Sequence, residues 1–221
     1  MFESSTTYPC AIADGTDEGL QEGFDWCTEH MGEGHKLTLY VAVKASLSNS
    51  PLLNEWLRRY SDVELATARG FPMVSRGPVL ALWPSAQGLG KLLDRRGALT
   101  ALCVASWNHD EVGPWVASAR PEILDSAQEE WGSTPQMRLH PDVEEAMLSV
   151  TQLINHNNTI SGGFEKAIVV KALLRLHDVG HRLDGAQLQG WALARGWGGD
   201  NPAKLASYAT EIDAGKRPRT I

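Results

Sequence analysis

The chain has 221 residues and a formal net charge of −7, with 43% hydrophobic and 21% charged residues, the balance of a globular protein. No apolar run reaches the roughly 20 residues of a membrane span. The start MFESSTTYPCAIADG lacks the basic and apolar parts of a signal peptide, and three cysteines make no disulfide framework, so a cytoplasmic protein with no membrane partner is expected.

Residues 1–36 read as an acidic, glycine-rich segment ahead of the folded body, with a poorly ordered beginning. Cys10, Cys27, His30 and His35 within it are of zinc-ligand type. Their gaps match no common finger, and a surface thiol with two solvated histidines is the stronger reading; zinc binding stays open. The body is expected over 37–135. Leu37 to Val43 reads as a strand, and Ser50-Pro51 opens a helix whose apolar face is Leu52, Leu53, Trp56, Leu57 and Tyr60. Val63 to Ala68 is a further strand.

The clearest signal is GPVLALWPSAQGLGKLLDRRGALTALCVASWNHD, residues 77–110. Val79–Trp83 and Ala98–Ala105 are apolar runs with little alternation, which suits strands covered on both faces. Between them Ser85 caps a helix with Ala86, Leu89, Leu92 and Leu93 on one face, and Gly97 suits its stop. Strand, helix, strand in this span makes a right-handed crossover between two parallel strands. The Gly90-Lys91 pair looks like a phosphate loop, but Ser85 stands where the first glycine is needed and Leu92 where Ser or Thr would hold magnesium. No nucleotide dependence on Lys91 is expected, and no cofactor is assigned. Glu111 to Ala119 reads as a helix and Glu122 to Gln136 as mixed structure. The fold class is therefore α/β: a small, mainly parallel sheet with flanking helices, followed by an all-helical C-terminal region over 139–221.

That region begins with a helix over Leu139–Asn155, opened by His140-Pro141-Asp142. A polar linker, His156 to Gly163, precedes an apolar helix over Phe164–Leu176 that Gly180 ends. Asp184 to Gln187 is a capping-box pattern for a helix over Ala186–Arg195, and Asp200-Asn201-Pro202 opens the last helix, to Asp213. Residues 1–150 carry 11 Lys and Arg against 21 Asp and Glu, while 151–221 carry nine against six. An acidic body argues against nucleic-acid binding there and leaves it open for the tail.

The stretches GPVLALWPSAQGLGKLLDRRGALTALCVASW and NHNNTISGGFEKAIVVKALLRL resemble a loose family of uncharacterised bacterial proteins with an α/β body and a helical C-terminal region. The resemblance implies that architecture and brings no known activity.

Four places offer chemistry. Ligands of open α/β sheets bind beyond the carboxyl ends of the strands, which makes Ser85, Gln87, Ser106, Asn108, His109 and Asp110 candidates for one pocket. The stronger reading takes Ser85 and Asn108 or Asp110 as helix caps. Ser161, Gly162 and Gly163 open a helix whose free N–H groups suit a small anion, with Asn157 and Asn158 near. The adjacent His177-Asp178 pair resembles the signature of HD-type metal phosphohydrolases. In that family the pair shares a metal with an upstream His, here His156, and a later Asp, here Asp200 or Asp213. Too few residues follow to build such a site, and it is expected not to form. Finally, Lys204, Ser207 and Tyr208 on the last helix suggest a helix-turn-helix, against which Glu211 and Asp213 stand. The leading expectation is a non-catalytic binding protein whose helical tail contacts a protein or nucleic-acid partner; the alternative is the HD-type hydrolase.

Overall fold

A computed structural model describes residues 8–43, 50–68, 75–94, 98–155 and 159–220. Its centre is a six-stranded, all-parallel sheet in the order β3-β2-β4-β5-β1-β6. The strands are β1 (Cys10–Ala13), β2 (Leu37–Val41), β3 (Val63–Thr67), β4 (Gly77–Leu82), β5 (Leu99–Ala105) and β6 (Glu122–Ile123). β4 and β5 are adjacent and run in the same direction, as the crossover motif requires.

Four helices cover the sheet: α1 (Asp17–Glu29), α2 (Pro51–Arg59), α3 (Ala86–Leu93) and α4 (His109–Ala119). Leu20, Phe24 and Cys27 of α1 and Leu53 and Trp56 of α2 pack with Leu39, Leu80, Ala101 and Cys103 on one face. Leu89 and Leu92 of α3 and Val112, Trp115 and Val116 of α4 pack with Ile12, Val79, Leu102 and Val104 on the other. Successive residues of β4 and β5 therefore meet opposite covered faces, which is why these strands show no polar alternation. The connections through α1 and α2 run toward β3, and those through α3 and α4 run toward β6. Opposite travel with helices on opposite faces is what right-handed crossovers demand.

The N-terminal segment corrects the sequence reading. Residues 10–29 are not a prelude to the body: β1 pairs with both β5 and β6, and α1 covers β4 and β5. Four short apolar residues, CAIA, suffice because they are buried between two parallel partners. The expected helix stop at Gly97 lies outside the described residues.

A short α5 (Gln128–Trp131) follows a single 3-10 turn at Asp125–Ala127 and places Trp131, fully buried, under α4. The helical region comprises α6 (Pro141–Leu153), α7 (Gly163–Asp178), α8 (Gly185–Ala194) and α9 (Asn201–Asp213) around its own core of Met147, Val169, Leu173, Leu188, Trp197 and Leu205. α8 is the joint. Leu188, Trp191 and Ala192 enter the helical core while Leu193 and Ala194 enter the core of the sheet body. The approach is close: a Cβ at Gly190 would lie 2.2 Å from the Pro114 carbonyl oxygen, and one at Gly90 would lie 2.4 Å from that of Gly199. Gly199 donates its N–H to the Gly90 carbonyl at 2.8 Å.

Among the described residues no helix is long and apolar enough to cross a membrane.

Candidate functional site

The loops after β4 and β5 open on one edge of the sheet and meet there. Trp83, directly after β4, takes the left-handed region at φ 47°, a conformation uncommon for a side chain of that size. Its indole Nε1 donates to the Gly15 carbonyl at 3.1 Å, and its ring centroid lies 6.2 Å from that of Trp107, which is 56% exposed. A Cβ at Gly15 would strike both rings, so the two tryptophans close over the end of β1. The sequence reading did not single out these residues; the visible signal was a tryptophan at the end of each central strand.

The polar residues expected to line a pocket here are engaged within the fold. Ser85 Oγ accepts from Gly88 N at 3.0 Å, and Glu111 Oε2 accepts from Ala86 N at 2.8 Å, so two side chains fill the start of α3. Gln87 Nε2 donates to Asp200 Oδ1 at 2.9 Å, tying α3 to the helical region. Ser106 Oγ accepts from Asn108 N at 3.1 Å, and its carbonyl accepts from Trp131 Nε1 at 2.8 Å. Asn108 Oδ1 caps α4 through Asp110 N and Glu111 N. His109 Nε2 meets Glu130 Oε1 with its ring 4.1 Å from Trp131, and Asp110 is exposed in the first turn of α4. The structure thus brings the six together at one edge but uses five of them as caps and braces.

The start of α7 carries no side-chain cap, and Gly163 takes φ 68°. Ser161 is exposed and hydrogen-bonded to Thr159. Asn157, Asn158 and His156 lie outside the described residues. His177 is half-buried at the end of α7, and Asp178 pairs with Arg217 of the C-terminal tail. Asp200 instead accepts from Gln87, while Asp213 Oδ1 accepts from Leu183 N at 3.0 Å. Both carboxylates proposed as the later HD ligand are therefore in use elsewhere.

Cys10 and Cys27 lie in the cores on opposite faces of the sheet, so they do not converge with His30 and His35 on one ion. Burial, with Cys27 adjoining, pushes the Cys103 thiol well up. Along α9, Tyr208 is buried with its hydroxyl donating to the Ile160 carbonyl at 3.0 Å, and Leu205, Ala209 and Ile212 are buried beside it. The glycine turn before α9 is packed on Asp94 of the body, while Lys204 and Ser207 on the opposite side of α9 are exposed.

An open, mostly apolar surface lies between α6 and α7. A groove of about 530 Å³ lies along the pair, its apolar lining supplied by Ala146, Val150, Leu153, Ile168, Ala172, Leu176 and Val179. Leu153 is 65% exposed and Val179 74% exposed. The charged residues that line it, Lys171 and Arg175, are both basic.

No curated protein and no solved structure matches the chain. Residues 139–221, from just ahead of α6 to the C-terminus, match the model of a family described as a domain of unknown function, DUF1889.

Proposed function

We propose that the helical C-terminal region is a docking module for a partner protein, and that it takes an acidic amphipathic helix in the groove between α6 and α7. The observation that carries this reading is the groove's composition: exposed Leu153 and Val179 and half-buried Ile168, beside Lys171 and Arg175, whose charge is positive on an acidic protein. Apolar anchors at helical spacing from the partner would fill the groove, and its Glu and Asp residues would face Lys171 and Arg175. A protein partner is favoured over nucleic acid because the groove lining is mostly apolar, and because the turn leading into α9, the element expected to read nucleic acid, packs on Asp94 of the body. The HD-type hydrolase ranks below both, since Arg217 holds Asp178.

Two fluorescent amphipathic helical peptides with the same apolar face, one acidic and one basic on the polar face, test the proposal by anisotropy. The acidic peptide is expected to bind about tenfold tighter, the equivalent of about 1.4 kcal/mol. Charge reversal by Lys171→Glu with Arg175→Glu inverts the preference, and Leu153→Asp abolishes binding of both. Equal binding of the two peptides overturns the charge argument. Binding unaffected by Leu153→Asp, or occlusion of the groove by self-association in sedimentation, overturns the site.

A further inference from the structure

We infer a divalent-metal site at the end of the α6–α7 hairpin, made by His140, Asp142 and His181. Among the described residues these three form a group whose ligand atoms all lie within 4.8 Å of one another. Asp142 Oδ2 is 3.2 Å from His181 Nε2 and 3.6 Å from His140 Nδ1. Ligand atoms bound tetrahedrally to zinc at about 2.1 Å are separated by about 3.4 Å. Two edges of a coordination tetrahedron are thus already present, with the two imidazole centroids 4.6 Å apart.

The chain builds this arrangement from two elements. His140 and Asp142 flank Pro141 at the first turn of α6, where the proline fixes the backbone and the helix dipole favours the carboxylate. His181 follows α7 and is brought back by Gly180, whose φ of 97° ends the helix while His181 N donates to the Leu176 carbonyl. The His181 side chain is only 18% exposed, whereas those of His140 and Asp142 are 58% and 63% exposed. One ligand is therefore anchored and the other two reach it from solvent, leaving the outer side open to water. His140 Nδ1 now accepts a long bond of 3.3 Å from Asp142 N, which a metal on that nitrogen would replace.

Two imidazoles with one carboxylate suit a borderline ion such as Zn²⁺ and not Mg²⁺ or Ca²⁺, which take oxygen ligands. Bound there, the ion ties the start of α6 to the segment following α7, just after Val179 of the groove lining. The site is independent of the docking proposal, because none of its ligands lines that groove, and it is separate from His177 and Asp178.

Isothermal titration of tag-free protein with Zn²⁺, and visible absorption with Co²⁺, test the site. One ion per chain is expected, with the intense visible bands of tetrahedral cobalt, and a raised melting temperature on zinc addition. His140→Ala, Asp142→Ala and His181→Ala each weaken binding at least about tenfold, while His177→Ala leaves it unchanged. Circular dichroism confirms that each variant is folded; His140→Asn, which retains a cap, serves should the alanine variant fail to fold. Absence of stoichiometric zinc binding, equal binding of Mg²⁺, or loss on His177→Ala with retention on His181→Ala overturns the assignment.

Discussion

Helix α4 in the sheet body buries Val112, Trp115, Val116 and Ala119, whereas α6 in the helical region leaves Leu148 and Leu153 in solvent. Helix α7 likewise exposes Phe164 at its start and leads to exposed Val179. In the body both faces of the sheet are covered, and α8 seals α4 from outside. In the helical region α8 and α9 cover one side of α6 and α7, and nothing in the chain's described residues covers the other. The comparison teaches where to look for function. The mouth of the sheet is lined by caps and braces beside exposed Trp107, whereas the appended helical pair leaves an apolar groove open.

The comparison can be broken most severely at Trp131, whose indole is fully buried and hydrogen-bonded to Ser106. Trp131→Ala should cost about 3–5 kcal/mol, read as a lowered midpoint in urea unfolding. Next comes the joint. Gly190→Ala puts a methyl group against the Pro114 backbone, and a loss of about 1–3 kcal/mol is expected. If body and helical region depend on each other through α8, thermal unfolding of this variant separates into two transitions; one sharp transition at an unchanged temperature contradicts the tight joint. At the sheet mouth, Ser85→Ala removes the cap of α3 and should lower stability by about 1 kcal/mol. A stabilising effect would instead mark Ser85 as held for a ligand, restoring the mouth as a binding site. The smallest effect sharpens the contrast: Leu153→Asp, on an exposed apolar position, should change stability by less than about 0.5 kcal/mol while abolishing peptide binding.

Local chemistry wrote much of this fold into the sequence. The apolar runs at Val79–Trp83 and at Ala98–Ala105, the latter broken only by Thr100, announced strands covered on both faces, because alternation is lost only when neither face meets water. Ser50, Ser85, Asn108 and Asp184 announced helix starts, since a short polar side chain satisfies N–H groups that the helix itself leaves open, and each does so in the structure. What tertiary structure alone decided was pairing across long distances. The four residues of β1 became a strand because Leu102–Ala105 accept them in parallel register, and the acidic, glycine-rich surroundings gave no local cue for that. At the sheet mouth, Ser85, Ser106 and Asn108 take up nearby backbone N–H groups, whereas the partners of Ala86 N, His109 and Gln87 are Glu111, Glu130 and Asp200, which other helices bring in. His140 precedes α6 and His181 follows α7, with no motif spacing between them. Only the antiparallel return of α7, ended by Gly180, sets them beside Asp142, because ligand geometry is a property of positions in space and not of order along the chain.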